Sequence, residues 1–244
     1  MSSIRQTQLI WVGTILVVAF SMVYAILHRN QAQHSISVTG LGAKDFESDL
    51  IVWSGTFSRK SMDLKQAYAL LDKDRAVVKE YFEKKGVTGK QVVYSSVSIM
   101  KDFASNYNPS TQQTESYFTG YLLSQTVTVE SREVDKVEEL SRQVSEMINY
   151  GVEFTSNPPE YYYTKLAELK VQMVAEATKD AKKRAETIAE EAGARLGDLK
   201  KAQMGVFQIV AQNSSEDFSW GGAFNTSAKR KTANITMKVD YGVK

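Results

Sequence analysis

The sequence predicts an α+β fold: antiparallel sheet with helices packed on one face, in the order β-β-α-β-β-α-β-α-β-β, preceded by one transmembrane helix. Three observations predict it. Short runs alternate with period two, as where Thr126, Thr128 and Glu130 are set against Val127 and Val129. Longer segments of helical period fall between pairs of these runs, an arrangement that favours an antiparallel sheet. Ahead of them stands the uncharged run Leu9 to Leu27, LIWVGTILVVAFSMVYAIL.

That run matches the roughly 20 residues needed to cross a bilayer, with Trp11 and Tyr24 near its ends as interfacial aromatics. Read instead as a cleaved signal, it offers Val23-Tyr24-Ala25 as the cut site. Its long apolar core, continued by Ile26-Leu27, favours a retained anchor. The chain therefore divides into residues 1–8, a short N-terminal segment; 9–27, the anchor; 28–34, a polar tether; and 35–244, one folded domain.

From Ser35 the pattern turns to strands, first with Ile36, Val38 and Leu41, then from Leu50 through Phe57. Ser61 to Lys85 reads as a helix capped by Asp63 and Gln66, with Leu64, Ala67, Tyr68, Leu71, Arg75, Val78 and Phe82 as its buried stripe. Val92–Met100 and Tyr117–Ser131 read as strands, and the polar stretch Lys101–Ser116 as a long exposed loop. A second helix spans Glu133–Tyr150, with Val137, Leu140, Val144, Met147 and Ile148 inward and Gly151 closing it. Val152–Phe154 is a short strand leading to the longest helical segment.

That segment runs from Asn157 to Gly197. Asn157 is a good N-cap, Pro158 suits the first helical position, and Glu160 completes a capping-box pattern. A single helix of this span is about 50 Å long, so it either outruns its sheet or breaks near Tyr161, Tyr162 and Tyr163. Within it Ala177, Ala181, Ala185 and Ala189 recur every fourth residue, and Gly193 continues the row. Side chains four apart stack on one face, so the row makes a smooth ridge that lets another backbone approach closely. Two further strands, Ala202–Gln212 and Ala233–Tyr241, flank a loop too long for a tight hairpin.

The alanine row followed by Gly193-x-x-Leu196-Gly197 resembles the SIMPL-domain family of bacterial envelope proteins. Phe154-x-Ser156-Asn157-Pro158, Ser37-Val38-Thr39-Gly40-x-Gly42 and Thr119-Gly120-Tyr121 extend the resemblance over about residues 35 to 243. It implies a single-pass inner-membrane protein with its C-terminal domain in the periplasm, or a periplasmic protein if the leader is cleaved. It also implies ring-like or cage-like homo-oligomers and a link to envelope or oxidative stress. A periplasmic binding module for a small molecule or peptide is the alternative reading.

Composition narrows the chemistry. There is no cysteine, which excludes a disulfide, a thiol nucleophile and a Cys-based metal site. Both histidines, His28 and His34, lie in the tether, so a Ser-His-Asp triad in the domain has no base. Gly40-Leu41-Gly42 has Asp45 where a dinucleotide loop needs its third glycine, and Gly89-Lys90 has Lys84 where a P-loop needs its first. No catalytic, cofactor-binding or metal-ligating residue emerges. Arg5 and Arg29 lie outside the domain and all 28 acidic residues inside it, so residues 35–244 carry 28 basic and 28 acidic side chains. That balance offers no field to attract nucleic acid. The expected partners are a second copy of the chain and, through residues 9–27, the bilayer. Tyr161, Tyr162 and Tyr163, with Phe218, Trp220 and Phe224 in the long loop, either cover a domain edge or form the subunit contact.

Overall fold

The computed structural model describes residues 14–26, 35–109, 112–216 and 219–244. Residues 14–26 form a helix, α1. Next come β1 (Ser35–Glu47), β2 (Leu50–Ser61), α2 (Leu64–Lys84), β3 (Val92–Tyr94), β4 (Ser98–Asn108) and β5 (Gln113–Ser131). The chain continues with α3 (Val134–Gln143), β6 (Phe154–Ser156), β7 (Glu160–Tyr162), α4 (Leu166–Glu191), β8 (Leu196–Met204), β9 (Gln208–Ala211) and β10 (Arg230–Val243). The strands form two antiparallel sheets, each with its own helical cover. In the first, β1, β10 and β8 lie side by side and β9 also pairs with β10; α4 packs across it. In the second the order is β3-β5-β2-β6, with β4 added to β5 and β7 to β2; α2 and α3 pack on it.

Four expectations are corrected. Among the described residues no helix is long and apolar enough to cross a membrane. The transmembrane helix over 9–27, and the single-pass inner-membrane placement built on it, are therefore not supported; residues 9–13 and 27, and the tether 28–34, lie outside the described residues. The element order holds more strands than expected, because the run expected over Val92–Met100 divides into β3 and β4, the run expected over Ala202–Gln212 into β8 and β9, and β7 lies ahead of α4; residues 101–108 and 113–116, expected in a loop, belong to β4 and β5. The long helix begins at Leu166, not beside Asn157. β2 offers an open edge, and Leu50, Ile51 and Val52 pair with Tyr162, Tyr161 and Glu160; ladder bonds outweigh one capping pattern. Finally, α2 buries Asp74 and Tyr81 beside Ala67, Leu71, Val78 and Phe82, while Leu64, Tyr68 and Arg75 face outward.

The expected N-cap of α2 is present, with the Asp63 carboxylate accepting from the Gln66 amide at 2.8 Å. Asp74 on the buried face is held by Arg59 of β2, whose guanidinium also donates to the Gly151 carbonyl. α3 passes at Val144 into a 3-10 turn that ends at Gly151, where φ is +74°. Ile148 in that turn points outward, since the change of helical pitch rotates it off the buried stripe.

α4 lies on its sheet at backbone distance. Ala177, Ala181, Ala185 and Ala189 are fully buried, and β1 faces them with Gly40 and Gly42. A methyl group on Gly40 would sit 2.1 Å from the Ala177 carbonyl oxygen and 2.4 Å from the Ala181 nitrogen. On Gly42 it would sit 2.5 Å from the Met173 carbonyl oxygen. Both partners in this contact must be small, which is why the row and the two glycines occur together.

The two halves meet along β7 and β10. The Tyr161 N–H and C=O turn away from β2; the N–H donates to the Thr226 carbonyl at 2.7 Å and the C=O accepts from the Lys231 ammonium. Lys231 stands at an inward position of β10, in file with Ala233, Ile235, Met237, Val239 and Tyr241, and is 1% exposed. Burial pushes its pKa down to about 8. Two residues earlier, Lys229 ion-pairs with Glu47, Asp135 and Glu138, joining the end of β1 to α3. Its pKa is held above the ordinary lysine value, chiefly by the hydrogen bond to Asp135.

Gly40→Ala should cost about 1–3 kcal/mol or more in a denaturant melt, as overpacking does. Ala181→Leu should cost as much, and Lys179→Leu on the exposed face little. Equal losses at all three positions would show that the small-residue contact is not what holds α4. Lys231 gives a pH test. The unfolded chain keeps this proton up to its ordinary value of 10.5, while the folded chain releases it near 8. Over that window the unfolded state binds more protons, so the lysine's contribution to stability rises with pH. Wild type should gain on Lys231→Met between pH 7.5 and 9.5; a constant difference would contradict the burial of a charged amine at the seam.

Candidate interaction surface

The surface feature that the fold leaves without cover is a two-stranded arm. β5 is nineteen residues long, and only its second half, Tyr121 to Ser131, pairs with β2. Beyond Tyr121 the only strand it pairs with among the described residues is β4, with Asp102 opposite Gly120 and Asn108 opposite Gln113. The arm is rooted by Lys60, whose ammonium donates to Asp102 at 2.6 Å and to the Thr119 hydroxyl at 3.0 Å. Thr119 is also the extra residue of a bulge, because Asp102 pairs with Gly120 but Phe103 pairs with Phe118. The bulge is in β5, so β4 itself runs unbroken.

The arm and the β4 residues at its root carry apolar side chains that stand exposed. Ile99, Met100, Phe103, Tyr107 and Tyr117 are each more than half exposed. Phe103, Phe118 and Tyr121 pack edge to face along the ribbon at 5.7 and 5.1 Å. Among the described residues the outer edge of β4 pairs with no strand. An isolated two-stranded ribbon is marginal in water, and a long apolar edge invites another chain. The first sheet treats one of its outer strands, β1, differently. There α4 overlies β1, and the Asp180 carboxylate accepts from the Leu41 amide at 2.9 Å and from Arg184 at 2.9 Å.

The aromatic groups singled out in the sequence are separated by the fold. Because Tyr161–Tyr163 leave a strand and not a helix, they diverge. Tyr161 is 7% exposed and belongs to the core beneath α2 and α3. Tyr163 packs on Phe46 at 4.7 Å, toward the other core. Tyr162 faces out, its hydroxyl donating to Glu160 at 2.9 Å and its ring 6.5 Å from that of Phe224. Phe218 lies outside the described residues. Trp220 is 90% exposed and Phe224 47%.

The loop presenting Trp220 is built. Gln208, itself buried, donates to the Ser219 carbonyl at 2.6 Å and accepts from the Ala223 amide at 2.7 Å. Gly222 makes the turn at φ +92°, and the Ile209 amide donates to the Ala223 carbonyl at 2.7 Å. Tyr162, Trp220 and Phe224 thus share one region, with the Lys231 ammonium 5.8 Å from the Phe224 ring beneath it. Neither the arm nor Lys231 was reached from the sequence. Extending the alternation of the last strand back by two residues would have placed Lys231 inside.

The described residues contain no group of three or more His, Asp or Glu side chains placed to hold a metal ion. A family model described as "SIMPL: Protein of unknown function (DUF541)" matches residues 36–241. No curated protein matches the chain.

Proposed function

The chain belongs to the SIMPL family, and from that premise we propose that its domain is a non-catalytic module that self-associates through the outer edge of β4. The observation that carries this reading is the outer edge of β4, which along its eleven residues pairs with no strand among the described residues and bears exposed Ile99, Met100, Phe103 and Tyr107. A second copy is the occupant that fits. Antiparallel pairing about a two-fold axis at Phe103 sets Ile99 of each copy opposite Tyr107 of the other, and Lys101 opposite Ser105. Apolar side chains then meet apolar ones, and no like charges face each other. A domain with balanced charge also has little self-repulsion to oppose association.

One isologous contact closes at two copies. Growth to a ring or cage requires another contact, and the Tyr162–Trp220–Phe224 region supplies it. Its tryptophan stands in a turn whose flanking Ser219 and Ala223 are tied to the buried Gln208 side chain. The absence of Cys and His from residues 35–244 favours a binding or scaffolding role over a hydrolytic one.

Size-exclusion chromatography with light scattering on the full-length chain tests both contacts. The double change Ile99→Lys and Tyr107→Lys sets like charges across the proposed two-fold and should reduce the assembly, with the protomer's melting temperature nearly unchanged. Trp220→Ala should leave the two-fold pair but abolish larger species, weakening the second contact about 30-fold if it is a hot spot of about 2 kcal/mol. A wild-type monomer at tens of micromolar would overturn self-association. An assembly indifferent to the double change would remove β4 from the interface.

A further inference from the structure

Between α2 and β3 lies a cleft with two adjoining hollows, of about 520 and 370 Å³, both bordered by Lys79 and Tyr94. The larger is also lined by Asp72, Arg75 and Gln125. Its sizes are those of small-molecule sites. Three features of its walls bear on what it could hold.

The first is Tyr94. Its hydroxyl is covered and has no hydrogen-bond partner among the described residues. Burial pushes its pKa up to about 12, so it stays a neutral donor. A covered, unpaired hydroxyl destabilises a fold, and a small shift of the ring that opened it to the cleft would let a ligand satisfy it. The second is Gln125, 5% exposed, standing in the inward file of β5 between Leu123 and Val127. Its amide is anchored, donating to the Ser95 carbonyl at 2.7 Å. A leucine or valine would suit that file better unless the cleft wall must be polar. The third is a pair of cations one turn apart on α2. The Arg75 guanidinium lies 6.0 Å from the centre of the Tyr94 ring, and its ion pair with Asp72 is long, at 3.9 Å. Lys79 likewise reaches Glu83 only at 3.9 Å. Both cations keep donors to spare.

We propose that this cleft binds a small molecule through an oxyanion, a carboxylate or phosphate, clasped by Arg75 and Lys79 and hydrogen-bonded by the Tyr94 hydroxyl. Arg75 offers the planar fork that such groups match, Lys79 a point charge, and Tyr94 a neutral donor. The site is remote from β4's outer edge in role, since α2 and β3 take no part in the proposed assembly contacts.

The test is NMR titration of the full-length protein with inorganic phosphate and, separately, acetate, reading the Arg75 side-chain N–H and the Tyr94 ring. At least one anion should give saturable shifts at both residues. Arg75→Gln should weaken binding ten-fold or more. Tyr94→Phe should weaken it too while the melting temperature stays level or rises, so that the lost affinity is not lost folding. Shifts that never saturate, or that persist unchanged in Arg75→Gln, would overturn the proposal. So would a Tyr94→Phe protein that melts earlier and binds as before. The Ile99→Lys and Tyr107→Lys double change should leave the titration untouched, which separates this site from the assembly reading.

Discussion

The close approach of α4 to β1 is the constraint on which the rest depends. Gly40 and Gly42 leave no room for a methyl group against the backbone of Met173, Ala177 and Ala181. A helix seated this low can do two things that one held off by larger side chains cannot. It fixes the face of the first sheet, so that the inward file of β10 packs beneath it. It also brings Asp180 within reach of the Leu41 amide and satisfies an edge donor that would otherwise face outward. The Asp180 carboxyl is held below its usual range chiefly by that amide, then by Arg184. One outer strand of the first sheet, β1, thereby has an edge amide capped, and β4, an outer strand of the second, does not.

The same strand that α4 positions joins the halves. β10 enters at Arg230 beside the end of the second sheet, and Lys229 and Lys231 act there in different ways. Lys229 is an exposed-side tie among three carboxylates. Lys231 occupies a core position and donates to a main-chain carbonyl of β7. A buried ammonium without a carboxylate is a costly way to satisfy one carbonyl. It is retained where β7 needs both backbone groups of Tyr161 bonded on the side away from β2. The seam therefore connects the packing of α4 to the surface region where Tyr162, Trp220 and Phe224 gather.

The alanine row and the periodicity of α2, α3 and the strand cores were legible in the sequence, because burial on one face imposes a period that composition reveals. The start of α4 was misread. Asn157-Pro158-Pro159-Glu160 looks like a helix cap, and only the long-range pairing with β2 shows that it leads into a strand. The arm was hidden for the opposite reason: both of its faces meet solvent, so no alternation marks it, and its serines and asparagines read as a loop. The cleft was hidden by position. Arg75 fell within a stripe expected to be buried, whereas Asp74, one residue earlier, takes that place by pairing with Arg59. Charge partners across elements are what a single sequence does not display.

Two outer strands thus differ: the Leu41 amide of β1 is capped from α4, whereas the outer edge of β4 pairs with no strand among the described residues, and there we propose that a second copy binds. Amide hydrogen exchange followed over a dilution series measures this directly. The account predicts that the Leu41 amide exchanges slowly at every concentration, and that outward-facing amides of β4 are protected in concentrated protein and lose protection on dilution. Exchange along β4 that is fast and independent of concentration would contradict it.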